Sequence, residues 1–109
     1  MKKAKYRSDL PHHMYTYFIS YSDTGAPSFD KFARSKGLTL EDVMSFKRHR
    51  EFERAFRECS EIRRDYLIDG ALSKRLDPST VKYLLSAEFH MDEEQMADEG
   101  IQVTLEVIG

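Results

Sequence analysis

The sequence predicts a mainly α-helical fold, and three observations support that class. Apolar residues recur at intervals of three and four along most of the chain, which is the period of an amphipathic helix. Serine, threonine or aspartate precedes several of these stretches, where such residues cap helices. Alternation of apolar and polar residues, typical of a half-buried strand, is confined to residues 101–108. We therefore expect an N-terminal helix, two short helices joined by a tight turn, a long helix, a short helix and a C-terminal β-strand.

The composition is that of one folded protein without internal disulfide bonds. With 109 residues, of which 40% are hydrophobic and 12% aromatic, the chain can bury a modest core. Cys59 is the single cysteine, which excludes an intramolecular disulfide and favours an intracellular setting. No apolar stretch approaches the length of a membrane span, and the basic first residues lack the hydrophobic segment of a signal peptide. We expect a cytoplasmic protein that does not enter a membrane.

The first predicted helix covers residues 12–22. One face carries four apolar residues, Met14, Tyr17, Phe18 and Tyr21. This face should pack on the helices that follow. The stretch is also rich in Tyr, Ile and Thr, so a strand is the alternative. Residues 23–27 (DTGAP) then form a loop because turn-forming residues are concentrated there.

Residues 28–50 (SFDKFARSKGLTLEDVMSFKRHR) contain the start and stop signals of two short helices. Ser28 can cap the first helix through its hydroxyl, and Gly37 stands where a helix end often needs a positive φ. Thr39 can cap the second helix, and Asp42, three residues later, completes a weaker form of the capping box. Since these signals lie close together, the connection between the two helices must be tight.

The apolar spacing in the same segment is that of a helix-turn-helix. A small residue, Ala33, stands where the second helix would cross the first, and Gly37 lies in the turn four residues later. Val43 and Phe46 follow at the positions that anchor the second helix. Further apolar contacts come from Phe32 and Leu38. An ordinary helical hairpin is the alternative, because helix packing alone can produce this spacing.

The outward side of the second helix is the predicted DNA-reading surface. Together with nearby basic residues, the predicted DNA-binding residues are Arg34, Lys36, Thr39, Met44, Ser45, Lys47, Arg48 and Arg50. Two acids, Glu41 and Asp42, stand near the start of this helix, where DNA phosphates would repel them. Acids in a first helical turn also interact favourably with the helix dipole, which accounts for them without DNA.

Charge is distributed unevenly along the chain. Residues 1–50 hold ten Lys and Arg against five Asp and Glu, a formal +5, and residues 51–109 hold seven against fourteen, a formal −7. The basic half contains the predicted DNA-reading surface and a leader with Lys2, Lys3, Lys5 and Arg7. Opposed halves suit a protein that binds a polyanion at one end. Charged tails that serve only solubility are the alternative.

Residues 51–75 are predicted to form one long helix. Its apolar stripe consists of Phe52, Ala55, Phe56, Cys59, Ile62 and Tyr66. Such a stripe should pack against another helix, from the same chain or from a neighbouring copy. Cys59 lies on the stripe without a histidine or carboxylate spaced to activate it, so we interpret it as a core thiol. Asp77 or Ser79 should cap the short helix that follows.

The last segment combines acidity with a strand pattern. We expect residues 92–100 to be an acidic connector and residues 101–108 (IQVTLEVI) to be the strand. No other segment is a clear partner for this strand, and a lone strand leaves its backbone groups unpaired. Pairing of this strand with the same strand of other copies would satisfy these backbone groups, which predicts a homo-oligomer. A floppy tail, or pairing with residues 15–19, is the alternative.

Motifs of catalysis, cofactor binding and metal binding are missing from the sequence. It has no glycine-rich phosphate loop, no serine nucleophile elbow and no paired motif of histidine and carboxylate. The four histidines and the cysteine lack His-x3-His or Cys-x2-Cys spacing. We therefore expect neither an enzyme nor a bound cofactor or metal.

The order of these parts resembles the small subunit of the terminase, the DNA-packaging machine of tailed phages. The resemblance covers residues 10–109. It rests on FDKFARSKGLTLEDVMSF followed by Phe52-x-x-x-Phe56, on DGALSKRLDPSTVKYLLSAEF, and on the terminal IQVTLEVI. It implies a non-catalytic ring of identical subunits in the cytoplasm of a bacterial host cell. Such a ring recognises the packaging site on double-stranded DNA and regulates the large terminase subunit, an ATPase and nuclease.

This interpretation divides the chain into three regions. Residues 1–50 would bind DNA, residues 51–90 would support oligomerisation, and residues 91–109 would hold the acidic connector and the strand. Two other functions fit the same sequence. One is a small helix-turn-helix transcriptional regulator that acts as a dimer on a palindromic site. The other is a helical protein-interaction module, which the net charge of −2 favours.

Overall fold

The computed structural model describes residues 5–21 and 26–101, and every regular element in this part of the chain is an α-helix. The helices are α1 (Leu10–Tyr21), α2 (Phe29–Ser35), α3 (Leu40–Phe46), α4 (Arg50–Leu72), α5 (Pro78–Phe89) and α6 (Glu93–Asp98). The predicted mainly α-helical class is confirmed. The predicted strand lies outside the described residues except for Ile101, so the strand and its pairing between subunits stay predictions.

The chain divides into two compact units, Met1–Arg63 and Arg64–Gly109, and the division falls within helix α4. The first unit holds thirteen Lys and Arg against nine Asp and Glu, a formal +4. The second holds four against ten, a formal −6. The separation of charge seen in the sequence therefore persists across this structural division. The functional regions assigned above to residues 1–50, 51–90 and 91–109 stay a prediction.

The first unit has an apolar core to which four helices contribute. The buried members are Leu10, Met14, Phe18, Phe32, Ala33, Val43, Phe46, Phe52, Ala55 and Cys59. Phe29 of α2 stacks on Phe56 of α4 with ring centroids 3.9 Å apart. Arg63 donates a hydrogen bond to the carbonyl of Pro27 at 2.8 Å. Helices of the same chain thus cover the predicted stripe of the long helix as far as Ile62.

Helix α1 begins at Leu10, two residues before the predicted start, and the strand alternative for this segment is wrong. The amide of His13 donates to the carbonyl of Asp9 at 3.1 Å, which closes the first turn. Pro11 fits within this turn because its missing amide hydrogen would have no helical acceptor there. The side chain of Leu10 is buried in the core, so hydrophobic burial extends the helix toward its N-terminus.

Helix α4 ends at Leu72, earlier than the predicted Arg75, because the chain turns back over the helix end. Lys74 adopts a φ of 64°, and the amide of Leu76 donates to the carbonyl of Gly70 at 3.0 Å. A Cβ on Gly70 would overlap the side chain of Leu76. Gly70 therefore permits the close return of the chain.

The second unit has its own core. Its buried members are Leu67, Ile68, Ala71, Val81, Leu85, Met91, Met96 and Ile101. Helix α5 begins as predicted, since the carboxylate of Asp77 accepts a hydrogen bond from the amide of Thr80 at 2.9 Å. Hydrogen bonds from the Thr80 amide and hydroxyl lower the pKa of Asp77.

Residues 92–100, predicted as an acidic connector, instead contain helix α6. Asp92 accepts a hydrogen bond from the amide of Gln95 at 2.8 Å, and the side chain of Gln95 accepts one from the amide of Asp92 at 2.9 Å. This reciprocal capping box starts the helix. Gly100, with a φ of 89°, ends it, and Met96 is buried in the core of the second unit. Caps at both ends and one buried side chain hold these residues in a helix despite their acidity.

Candidate nucleic-acid interface

The turn between helices α2 and α3 is closed by two hydrogen bonds at the end of α2. The amide of Leu38 donates to the carbonyl of Ala33 at 2.8 Å, and the amide of Gly37 donates to the carbonyl of Arg34 at 3.2 Å. This Schellman motif requires a positive φ at Gly37, which has a φ of 69°. A Cβ there would meet no atom within 4 Å, so the backbone conformation alone favours glycine.

Helix α3 starts with the capping box that the sequence predicted. The hydroxyl of Thr39 accepts a hydrogen bond from the amide of Asp42, and the carboxylate of Asp42 accepts one from the amide of Thr39, both at 3.0 Å. The carboxylate of Asp42 is thus engaged by the helix itself. Its presence near the start of α3 is explained by local structure.

One side of α3 packs into the core of the first unit. Val43 and Phe46 are buried there, in the same apolar cluster as Ala33 and Phe32 of α2. The small side chain of Ala33 allows the two helices to approach closely. The contacts expected of Ala33, Val43 and Phe46 from the sequence are therefore present in the packing of α2 against α3.

The opposite side of α3 is exposed to solvent. Leu40 and Met44, one helical turn apart, keep 39% and 42% of their surface exposed. Thr39 and Ser45 are exposed as well, and the hydroxyl of Ser45 donates to the carbonyl of Asp42 at 2.7 Å. Three of the predicted DNA-binding residues, Thr39, Met44 and Ser45, are thus accessible on this helix.

Arg34 and Lys36 are exposed, but both are engaged by neighbouring side chains. Arg34 forms an ion pair with Asp30, one turn earlier on α2. The ammonium of Lys36 donates to Nδ1 of His13 on α1 at 2.9 Å, and Nε2 of His13 lies 3.5 Å from the Asp9 carboxylate. A phosphate would have to compete with these partners. Exposed pairs of this kind are weak, so such competition is feasible.

Lys47, predicted to face outward, is half-buried. It follows α3 directly, and its ammonium lies 4.4 Å from the centroid of the Phe56 ring. The side chain lies beside the buried face, where it meets the Phe56 ring of α4. The apolar stem covers part of the core while the charge interacts with the aromatic ring. Lys47 is therefore less available to a phosphate than the sequence suggested.

Arg48 and Arg50 are exposed. The guanidinium group of neither residue forms an ion pair or hydrogen bond with any other residue that the structure describes. They lie in the turn between α3 and α4 and at the first residue of α4. Two unpaired guanidinium groups close to the end of α3 are the strongest candidates for phosphate contacts in this region.

A cluster around Tyr6 was not anticipated from the sequence. The ring of Tyr6 stacks on His49 with centroids 3.7 Å apart and meets Phe46 and Phe52 edge-on at 5.5 and 6.0 Å. Its hydroxyl donates a hydrogen bond to the carboxylate of Glu51 at 2.6 Å. The cluster holds the segment before α1 against the turn between α3 and α4. The sequence signal that could have indicated this cluster was Tyr6 itself, an aromatic residue within a polar, basic leader.

The hydrogen bond between Tyr6 and Glu51 changes the acidity of both groups. Burial, followed by the hydrogen bond and the negative charge of Glu51, raises the pKa of Tyr6 well above its ordinary value. Donation by the tyrosine hydroxyl lowers the pKa of Glu51. At neutral pH the tyrosine is therefore protonated and the glutamate ionised. Nε2 of the stacked His49 is buried and has no hydrogen-bond partner among the described residues.

The remaining features of the described residues give little indication of a chemical function. An open groove of about 450 Å³ lies between α1 and the end of α2, lined in part by His12, His13, Thr16 and Lys36. Burial raises the pKa of the Cys59 thiol to about 12, as expected of a core thiol. Within residues 5–21 and 26–101, no group of three His, Cys, Asp or Glu side chains is placed to hold a metal ion. None of the described helices has the length and apolar character of a membrane span.

Comparison of the chain with protein-family models, with curated proteins and with solved structures found no match.

Proposed function

We propose that this chain is a non-catalytic protein that binds double-stranded DNA, with helix α3 entering the major groove. The α2–α3 hairpin is the observation that carries the proposal. Val43 and Phe46 anchor one side of α3 in the core, while Leu40, Met44 and Ser45 leave its other side accessible. A short helix held firmly on one side and exposed on the other is what groove reading requires.

The charge of the first unit supports a polyanionic ligand. The unit has a formal charge of +4, and the exposed side chains of Arg48 and Arg50 stand at the end of α3. Of the two acids in α3, Asp42 is engaged in the capping box. Glu41 is the remaining exposed acid, and its carboxylate can accept a hydrogen bond from the amino group of a cytosine.

Within this proposal, the finer role is recognition of a packaging site as a terminase small subunit. The support is the order of elements, in which an N-terminal helix, a helix-turn-helix, a long helix and a shorter helix follow one another. Double-stranded DNA and the large terminase subunit would be its partners, and a ring of identical copies its working form. A transcriptional regulator would use the same hairpin as a dimer.

The mass of the protein in solution separates these two roles. Light scattering coupled to size-exclusion chromatography should give a ring of many copies for a packaging subunit. A dimer would favour the regulator. A monomer that binds DNA would contradict both finer roles and leave only the DNA-binding proposal.

Titration of a long mixed-sequence duplex at several salt concentrations tests DNA binding itself. The wild-type protein should bind with an affinity that falls steeply between about 50 and 200 mM salt, because phosphate contacts release counterions. Arg48→Ala and Arg50→Ala should each weaken binding and reduce the slope of log K against log salt by about one phosphate contact.

Two further variants serve as controls in this titration. Arg75→Ala removes an exposed cation from the second unit, where it lies 5.4 Å from the Tyr66 ring, and should leave the salt slope unchanged because it removes no phosphate contact. Val43→Asp places a charge in the core of the first unit and should unfold the hairpin, which circular dichroism would report. Absence of binding at low salt by the folded wild type would contradict the proposal and favour a protein-interaction module.

A further inference from the structure

The exposed side of helix α3 presents two apolar side chains to its surroundings. Leu40 and Met44 are one turn apart and lie away from the buried Val43 and Phe46. The sequence of the helix, LEDVMSF, contains no Asn, Gln, Lys or Arg. The side chains that make paired hydrogen bonds to guanine or adenine are thus missing from the helix itself.

The major groove offers one apolar group to such a surface. Each thymine carries a 5-methyl group there, whereas the other groups on the base edges are hydrogen-bond donors and acceptors. An aliphatic or thioether side chain can cover this methyl and remove apolar area from water. The unbranched side chain of Met44 and the branched side chain of Leu40 suit this contact. Neither is suited to reading a base edge through hydrogen bonds.

Charge around the pair favours DNA over an apolar protein partner. Lys36 precedes the pair in the chain, and Arg48 and Arg50 follow it, all of them exposed. The two arginines have no ion-pair partner among the described residues. A polyanionic partner that covers Leu40 and Met44 would place its negative charges close to these cations, which stabilises the complex. A DNA backbone is such a partner.

We propose that Leu40 and Met44 contact thymine methyl groups in the major groove and so determine sequence preference. This inference rests on the proposed DNA-binding function and deepens it. The protein binds a thymine-containing duplex more tightly than the same duplex with uracil, because uracil differs only in lacking the methyl. Burial of one methyl corresponds to about a fourfold change in affinity.

The test compares the alternating duplex poly(dA-dT) with poly(dA-dU) as competitors against a fluorescent mixed-sequence duplex at low salt. Wild-type protein should prefer the thymine polymer by about fourfold for each methyl contacted. Met44→Ala and Leu40→Ala should each reduce this preference, and the double variant should bind both polymers equally. Arg48→Ala should weaken binding to both polymers and keep their ratio, because phosphates are the same in each.

A matched control is the exposed apolar residue Ile19 on α1, which keeps 46% of its surface exposed. Ile19→Ala should leave the preference for thymine intact, which separates a specific contact from general apolar adhesion. Equal binding of the two polymers by the wild type would overturn the inference and leave the DNA-binding proposal standing. A preference that persists in the double variant would also overturn it. Competition by neither polymer would likewise overturn it, whereas failure to bind the mixed-sequence duplex itself would overturn the proposed function, with a partner protein as the remaining ligand of this surface.

Discussion

Tyr6 and Glu51 join two parts of the first unit that are far apart in sequence. The tyrosine ring lies against His49, Phe46 and Phe52, and its hydroxyl gives the carboxylate a hydrogen bond at 2.6 Å. These contacts fix the start of the described chain beside the end of helix α3. Lys5, which directly precedes Tyr6 in the chain, is thereby kept near the turn between α3 and α4.

The lowered pKa of Glu51 predicts a pH-dependent contribution to stability. A carboxylate whose pKa is lower in the folded state stabilises the protein above its unfolded pKa of 4.5. This stabilisation is lost as the pH falls through the folded pKa. Tyr6→Phe removes the hydrogen bond that lowers the pKa, so wild type and variant should differ in urea midpoint at neutral pH. The difference should shrink as the pH falls through the lowered pKa of Glu51, because the carboxyl group is then protonated in both the folded and the unfolded protein.

The matched control for this measurement is Tyr83→Phe. Tyr83 is exposed on α5, and its substitution should change the midpoint at no pH. Asp77 also has a lowered pKa, but it titrates in every variant and cancels in the difference. If the urea midpoints of wild type and Tyr6→Phe differ by the same amount from neutral to acid pH, the hydroxyl stabilises the fold independently of the charge on Glu51.

The hairpin of α2 and α3 was the part of the fold that the sequence encoded most directly. The residues that cap, turn and anchor this segment contact one another over only a few positions in sequence. Examples are the hydrogen bonds from the amide of Leu38 to the carbonyl of Ala33 and from the amide of Asp42 to the hydroxyl of Thr39. Local signals of this kind are readable without knowledge of the tertiary structure. The capping box of α6, from Asp92 to Gln95, was equally local but was obscured by the acidic composition around it.

The features that the sequence did not predict depend on contacts between residues that are far apart in sequence. The half-buried position of Lys47 depends on Phe56, and the stacking of Tyr6 depends on His49. Neither partner is marked by spacing, since each pair forms only once the helices have packed. Of the predicted DNA-binding residues, the sequence identified those exposed on α3 but not which cations are free of partners.

The Schellman motif that ends α2 predicts a specific cost for a side chain at Gly37. Because a Cβ there meets no atom within 4 Å, Gly37→Ala should cost only the left-handed backbone energy, about 1–2 kcal/mol of unfolding free energy. Gly37→Asn should cost less, because asparagine tolerates this conformation. Urea denaturation measures both values. Equal stability of the alanine and asparagine variants would show that the turn can adopt another conformation.

Opposite charge in the two units gives the whole chain an electrostatic asymmetry. The +4 of the first unit attracts a polyanion, whereas the −6 of the second repels it at any distance within the screening length. The net effect on DNA affinity is a balance between short-range phosphate contacts and long-range repulsion. The second unit should therefore limit non-specific binding to DNA.

Neutralisation of acids on α6 tests this balance. Glu94 and Asp98 are exposed and stand in the first and last turns of the helix, so the effects of Glu94→Gln and Asp98→Asn on the helix dipole oppose each other. The double variant should bind a mixed-sequence duplex on the order of twofold more tightly at about 0.01 M salt, where the screening length is about 30 Å. At high salt the gain should vanish, since the repulsion is screened. The ratio between thymine and uracil polymers should not change, because no residue of α3 is altered. A gain in affinity that persists at high salt would mean that α6 is in direct contact with the DNA, contrary to a role at a distance.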